Sequence, residues 1–173
     1  MLAMRIAVAS DHAGFALKQE MLPVIRSLGH EVIDVGTHST DAVDYPDYAV
    51  AGCSRILDGS AERGILFCGS GVGMSVAANK IPGIRAGNVE DHYSAHQGVE
   101  HDDMNVLVLG GRTIGLAVAE ELVRAFLGAR YTGEARHARR LGKVLEIEAN
   151  PERFRAMADG HAGAASGAAA PRT

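Results

Sequence analysis

The 173-residue chain has little of what marks a secreted or membrane protein. It has two cysteines and no tryptophan, and Cys53 and Cys68 are too few and too far apart for a disulfide framework or a Cys-x-x-Cys site. Its apolar runs, such as residues 116–119, are far shorter than the roughly 18 to 20 residues that cross a bilayer. The first five residues lack the basic and apolar regions of a signal peptide. We therefore expect a cytoplasmic protein that is not in the membrane.

An excess of positive charge is also missing. The 17 basic and 21 acidic side chains give a net charge of −4, which argues against a nucleic-acid-binding protein. Apolar residues make up 47% of the chain, enough for the core of one domain. We expect that domain to span residues 1–150. Residues 151–173 would be an extension, rich in Ala and Gly from about residue 158 and without a core of its own.

Short apolar runs alternate with amphipathic patterns of helical period. The predicted strands are Ile6–Ala9, Val32–Val35, Gly64–Cys68, Ile84–Val89 and Asn105–Leu109. The predicted helices cover residues 17–28, 48–57, 73–79, 91–99, 114–127 and 134–147. Strict alternation of strand and helix predicts an α/β fold with a five-stranded parallel sheet covered on both faces.

Ligands of such a sheet bind at the carboxyl ends of its strands, where the strand order reverses. This rule selects three segments: Asp11 and His12, Cys68–Gly73, and Gly110–Arg112. The loop after the third strand is the strongest signal, because three glycines in five positions can point successive backbone N–H groups at an anion. It matches neither nucleotide-binding glycine pattern, and the alternative is a tight turn with no ligand.

Cys68 ends a predicted strand beside this loop. Nearby N–H groups would favour its thiolate form, so it could act as a base or as a nucleophile. The alternative is a small buried apolar residue, which is how we interpret Cys53.

The last predicted helix carries Arg136, Arg139, Arg140 and Lys143 within an arc of roughly 100°. Such a stripe suits phosphate, since arginine can donate two hydrogen bonds to it, but a solvated helix face would look the same.

Among eight histidines, His92 and His96 are spaced i, i+4 without a metal-binding motif. His101 is a better candidate for proton transfer than for metal binding.

Seven short segments together resemble type B ribose-5-phosphate isomerases. In chain order these are Asp11–Gly14, Asp44–Pro46, Cys68–Gly73, Ala77–Lys80, Gly83–Ala86, Asn105–Leu107 and Arg136–His137. The resemblance extends from about Met4 to Glu148. The same family also contains allose-6-phosphate and galactose-6-phosphate isomerases. It implies a Rossmann-like, three-layer α/β/α sandwich and a homodimer or tetramer with active sites shared between subunits. It also implies an aldose–ketose isomerase of the pentose phosphate pathway that works through an enediolate without metal or cofactor.

The resemblance assigns roles to individual residues. Cys68 would be the base between C1 and C2, and His101 the acid that opens the sugar ring. Some family members place a glutamate after the glycine loop, but Met74 and Ser75 provide none. Ser70 and the backbone amides of Gly71–Gly73 would hold the enediolate oxygens. The sugar and its phosphate would contact the following residues: Asp11, His12, Tyr45, Gly69, Gly71, Val72, Gly73, Asp102, Arg112, Arg136 and Arg140.

Two departures from the family pattern concern the substrate. Asp102 stands where the family usually has asparagine, and Gly98–Glu100 lacks the usual Ser/Thr-Arg before the histidine. Arg136–His137 favours a pentose, because galactose-6-phosphate isomerase subunits tend to lack it. The alternatives are an isomerase of allose 6-phosphate, galactose 6-phosphate or a tetrose phosphate, a non-catalytic sugar-phosphate-binding module, and, last, a cysteine hydrolase.

Overall fold

The structure, a computed structural model, describes residues 2–152, which contain five strands and six helices. The strands are β1 (Arg5–Ser10), β2 (Glu31–Asp34), β3 (Arg63–Cys68), β4 (Ala86–Asn88) and β5 (Val106–Gly110). The helices are α1 (Phe15–Ser27), α2 (Tyr45–Leu57), α3 (Val72–Ala78), α4 (His92–Asp102), α5 (Leu116–Gly128) and α6 (Ala135–Ala149). None of these helices is both long and apolar enough to cross a membrane. All but the first two residues of the predicted extension, 151–173, lie outside the described part of the chain.

The five strands form one fully parallel sheet in the order β2-β1-β3-β5-β4. β3 is central: Val8 of β1 pairs with Ile65, which also pairs with Leu107 of β5. From β1 the chain builds outward to β2 and then crosses to the other side of β1 to form β3. The strand order therefore reverses between β1 and β3.

Helices cover both faces of the sheet because the strands are apolar on both sides. Ile6, Ile65, Phe67 and Leu107 belong to a core built with α1, α4 and α5. On the opposite face the partners of α2 and α3 include Ala9, Leu66 and Val108. The predicted α/β sandwich with a parallel sheet is confirmed.

Helix α2 begins at Tyr45, three residues before the predicted start. Pro46 precedes the predicted helix, yet it lies in the first turn of α2. Proline is accepted there because the first N–H groups of a helix have no intrahelical partner and the fixed φ of proline is already helical. The early start brings Tyr45 to the carboxyl edge of the sheet.

Strand β4 has three residues rather than the six predicted. At Arg85 the carbonyl still accepts from the backbone N–H groups of Asn105 and Val106, but the Arg85 N–H donates to Asn105 Oδ1 at 2.8 Å. Helix α4, in contrast, continues past the predicted end at Val99 to Asp102. His101 therefore lies in the last turn of a helix and not on a loop leading to β5.

The start of α1 lies against the backbone of β3, and this close approach depends on Gly14. A Cβ built on Gly14 would lie 2.4 Å from the carbonyl carbon of Phe67 and 2.6 Å from the backbone nitrogen of Cys68. Neither atom belongs to a flexible side chain, so any side chain here would push α1 away from the end of β3.

We expect Gly14→Ala to lower the free energy of unfolding by about 1 to 3 kcal/mol, the usual cost of overpacking a filled interior. Chemical denaturation monitored by circular dichroism would measure the change. Gly128→Ala is the matched control, because a Cβ at Gly128 meets no atom within 4 Å. Equal midpoints for the two variants would contradict the argument.

Candidate active site

A cleft of about 420 Å³ opens at the carboxyl edge of the sheet, where the strand order reverses between β1 and β3. Its walls come from the segments that follow β1, β3 and β5 and from the start of α2. The residues that line it are Asp11, His12, Ala13, Tyr45, Cys68, Gly69, Ser70, Gly73, Arg112 and Thr113. The three segments selected from the sequence thus meet in one place.

Cys68, the last residue of β3, is 4% exposed and lies at the bottom of this cleft. Its Sγ accepts a hydrogen bond from the Gly71 N–H at 2.9 Å. The turn that allows this contact places Gly71 in the left-handed region, at φ 82°, which glycine adopts without strain. The glycine loop therefore places a backbone N–H donor directly on the sulfur of Cys68.

The rest of the glycine loop provides further donors. The first helical bond of α3 runs from the Ser75 N–H to the Gly71 carbonyl, so the amides of Gly73 and Met74 precede it. Tyr45 covers this point, since its ring carbons lie 3.1 to 3.3 Å from where a Gly73 Cβ would be. The loop can therefore present N–H groups to an anion under an aromatic side chain.

Asp11 and His12 follow β1, and each is held by a backbone amide. Asp11 Oδ1 accepts from the Gly14 N–H at 2.8 Å, which turns the chain into α1. His12 Nδ1 accepts from the Val43 N–H at 3.3 Å. With Nδ1 as the acceptor, the neutral imidazole carries its proton on Nε2 and is a donor there.

Arg112 follows β5, and backbone hydrogen bonds tie its segment to the glycine loop. The Gly111 N–H donates to the Cys68 carbonyl at 2.7 Å, and the Arg112 N–H donates to the Gly69 carbonyl at 2.9 Å. The Arg112 side chain passes over Gly69, with Cδ 3.7 Å from the position of a Gly69 Cβ. A positive charge is thereby placed over the loop that contains Cys68.

A buried ion pair supports the wall that holds His12. Lys18 of α1 is fully buried, and its Nζ donates to Asp34 Oδ1 and to the Thr37 carbonyl, both at 2.7 Å. These bonds attach the segment after β2 to α1, and that segment continues to Val43. The sequence interpretation missed Lys18, although a lysine next to the apolar stripe of α1 was a detectable signal.

Six predicted site residues are not among those that line this cleft, and two of them, Gly71 and Val72, lie next to it in the glycine loop. His101 and Asp102 end α4, and Arg136 and Arg140 lie on α6. His101 instead stacks on His137, with ring centroids 3.9 Å apart, and its Nδ1 lies 2.6 Å from Gln97 Nε2. His137 and Gln97 were not among the predicted site residues.

Helix α6 differs from its predicted amphipathic arrangement. The residue it buries is His137, while Leu145, on the side of the helix opposite the basic stripe, is 40% exposed. Leu141, Val144 and Leu145 border a second cavity of about 450 Å³, which Asp102 also lines. Arg136 Nε donates to Glu134 Oε2 at 3.0 Å, and Arg140 is exposed.

Two sequence interpretations concerned residues outside the cleft. Cys53 is fully buried in α2, and burial raises the pKa of its thiol to about 11, in agreement with a core role. His92 and His96 stack at 6.5 Å and lie beside Glu121 and Glu100. Within residues 2–152, no group of three or more histidine, cysteine or acidic side chains is arranged to hold a metal ion.

The model of the ribose/galactose isomerase family matches residues 6–144 of this chain. Ribose-5-phosphate isomerase B of Escherichia coli is 45% identical over 144 residues, which is 83% of this chain and 96% of that protein. Solved structures of the same family are also similar to this chain. Ribose-5-phosphate isomerase B of Clostridium thermocellum superimposes with a TM-score of 0.81 at 46% identity, covering 84% of this chain and 97% of that one.

A third comparison includes a ligand. Ribose-5-phosphate isomerase B of Mycoplasma genitalium, solved with bound ribulose-5-phosphate, has a TM-score of 0.80 at 36% identity. It covers 87% of this chain and 99% of that one. The family model matches residues 6–144, which include every residue that lines the cleft. The chain belongs to the ribose/galactose isomerase family.

Proposed function

We propose that this protein is an aldose–ketose isomerase that interconverts ribose 5-phosphate and ribulose 5-phosphate without a metal ion. The observation that carries the proposal is Cys68, whose Sγ is hydrogen-bonded by its own loop inside a cleft that also contains His12 and Arg112. Relatives at 45% and 46% identity bear the name ribose-5-phosphate isomerase B, which specifies the substrate.

Cys68 is the base in this mechanism. Its thiolate takes the proton from C2 of the open-chain aldose, and the electron pair moves to O1 to form the enediolate. The proton returns to C1, the O2 hydroxyl proton passes to O1, and the ketose results. Because a base must lie within hydrogen-bond reach of the proton it removes, its position at the bottom of the cleft is essential.

The glycine loop stabilises the charge that develops on the substrate oxygens. The Ser70 hydroxyl and the amides of Gly71, Val72 and Gly73 are the donors. The Gly71 N–H donates to Cys68 Sγ in this structure, so it supports the thiolate first. Donors that are already oriented when charge develops contribute more than donors that must reorganise.

Binding the phosphate requires more than one copy of the chain. Within residues 2–152, Arg112 is the only arginine or lysine that lines the cleft, whereas Arg136 and Arg140 lie on α6. We therefore propose a homodimer in which α4 and α6 of the partner bring His101, Asp102, Arg136 and Arg140 to each cleft. Exposed apolar side chains suit such an interface: Val72 is 57% exposed beside the cleft, and Val144 of α6 is 52% exposed.

The residues around His101 bear on the choice of sugar. Asp102 adds a negative charge next to the proposed ring-opening residue, and the family as a whole includes galactose isomerases. An isomerase of a six-carbon sugar phosphate is the second candidate for this reason. We propose a cytoplasmic role in pentose phosphate interconversion, because glutathione and thioredoxin keep a thiol such as that of Cys68 reduced in the cytosol.

A substrate panel tests the proposal. With EDTA present, we expect kcat/KM to be at least about tenfold higher for ribose 5-phosphate than for allose 6-phosphate or galactose 6-phosphate, since a misfitting sugar loses transition-state contacts. Higher kcat/KM for a hexose phosphate would favour the second candidate. Binding of these sugars without turnover would indicate a non-catalytic module.

Cys68→Ala should lower kcat by about 10² to 10⁴-fold, the contribution of a general base, while substrate affinity measured by calorimetry changes little. Cys53→Ala is the control, because it also removes a buried thiol but from the core between α2 and the sheet, where it does not line the cleft. That variant should lose stability and retain kcat. Full activity of Cys68→Ala would exclude the cysteine as the base.

Shared active sites predict complementation between inactive subunits. Cys68→Ala chains co-expressed with Arg136→Ala/Arg140→Ala chains form mixed dimers with one intact cleft, so about one quarter of the wild-type activity should return at subsaturating substrate in a symmetric dimer. If each cleft is complete within one chain, no mixed dimer regains activity. Sedimentation that shows only monomers would also contradict the proposal.

A further inference from the structure

Gln97 lies one helical turn before His101 on α4 and contacts its imidazole. The distance from Gln97 Nε2 to His101 Nδ1 is 2.6 Å, a short hydrogen bond. With Nε2 of Gln97 facing the ring, the amide NH2 group donates and Nδ1 is the acceptor. A neutral histidine that accepts at Nδ1 carries its proton on Nε2.

His137 of α6 covers one face of the same ring. The two imidazoles stack with centroids 3.9 Å apart and planes inclined by 21°, and His137 is 3% exposed. His137 Nε2 has no hydrogen-bond partner in the described part of the chain, and Glu134 Oε2 is 3.7 Å away. Burial lowers the pKa of His137 below its usual value, and the charge of Arg136 lowers it further.

These contacts leave His101 one way to interact with a substrate. Nδ1 is occupied by Gln97 and one ring face by His137, which leaves the Nε2–H as the free donor of the ring. Protonating Nδ1 would set its N–H against the amide N–H groups of Gln97. These contacts therefore favour the tautomer that donates through Nε2.

We propose that Gln97 is a positioning residue that holds His101 as its neutral Nε2–H tautomer, with His137 fixing the plane of the ring. The inference rests on the proposed function, in which His101 of one copy acts on the sugar ring bound by the other. Nothing in the resemblance or in the family description assigns a role to Gln97.

The tautomer changes what His101 does in ring opening. An uncharged imidazole is a weak acid but an effective hydrogen-bond donor to an oxygen that gains negative charge. As the C1–O4 bond of the furanose breaks, its electron pair goes to O4, which the Nε2–H stabilises. The O1 hydroxyl loses its proton to water as the C1 carbonyl forms, and O4 takes a proton from water, so the imidazole keeps its own.

Nitrogen NMR of the full-length protein reads the tautomer directly. In ¹⁵N-histidine-labelled wild type near neutral pH, we expect His101 Nδ1 to show the shift of an unprotonated nitrogen and Nε2 that of a protonated one. Gln97→Leu should shift both nitrogens toward the averaged values of mixed tautomers. Gln97→Glu has the same shape but accepts a hydrogen bond, so it should move the proton to Nδ1. The imidazole signals that disappear in His101→Asn are those of His101.

His92→Gln is the control for a substitution on the same helix, since His92 lies at the opposite end of α4 and pairs with Glu121. It should leave the His101 signals unchanged. A wild-type ring protonated on Nδ1, or His101 signals that Gln97→Leu does not alter, would overturn the proposal. Because this measurement needs no turnover, it stands apart from the outcome of the substrate panel.

Kinetics test whether the tautomer matters. Gln97→Leu should lower kcat on ribose 5-phosphate by about tenfold with KM within about twofold, a smaller loss than removal of a catalytic group. Gln97→Glu, which keeps the contact but reverses its direction, should not restore kcat. An unchanged kcat in a Gln97→Leu protein with altered His101 signals would show that the tautomer has no catalytic role, and the positioning assignment would be wrong.

Discussion

Parallel pairing of β3 with both β1 and β5 is the constraint on which the candidate site depends. The register sets Ser10 beside Phe67 and Cys68 beside Gly110, so the three strands end at the same level. Backbone hydrogen bonds continue the pairing into the loops, from Asp11 to Phe67 and from Gly111 to Cys68. Residues far apart in the sequence thereby share one cleft wall, and their separation is set by the spacing of strands and not by loop flexibility.

Because β3 leads directly into the glycine loop, one short segment can provide both a base and the donors that stabilise charge. Cys68 belongs to the strand and is therefore rigid, whereas the turn through Gly71 brings an N–H group back to its sulfur at 2.9 Å. The same backbone then begins α3, whose first amides precede its first helical hydrogen bond. Oriented dipoles of this kind need not reorganise when the enediolate forms.

The predicted site residues that do not line the cleft, such as His101, are positioned by helices and not by the ends of strands. His101 depends on two helices, α4 for Gln97 and α6 for the stacked His137. Helix α6 buries little besides His137 against its own chain, and several of its apolar side chains are exposed. In the proposed dimer this helix meets another copy, so assembly would complete the phosphate site and exclude water from the sugar in a single step. Activity would then depend on the concentration of the chain through the dimer equilibrium.

The sequence alone determined the alternation of strands and helices, the parallel sheet, and the three segments that form the cleft. These features depend on local periodicity and on the rule that parallel strands end together, so neighbouring residues carry the information. Tertiary structure decided what depends on distant partners. The Asn105 side chain binds the Arg85 N–H just before β4, and in our proposal the helical position of His101 lets Gln97 select its tautomer. Lys18 is buried because Asp34 and Thr37 surround its charge, and no local pattern encodes partners that only folding brings together.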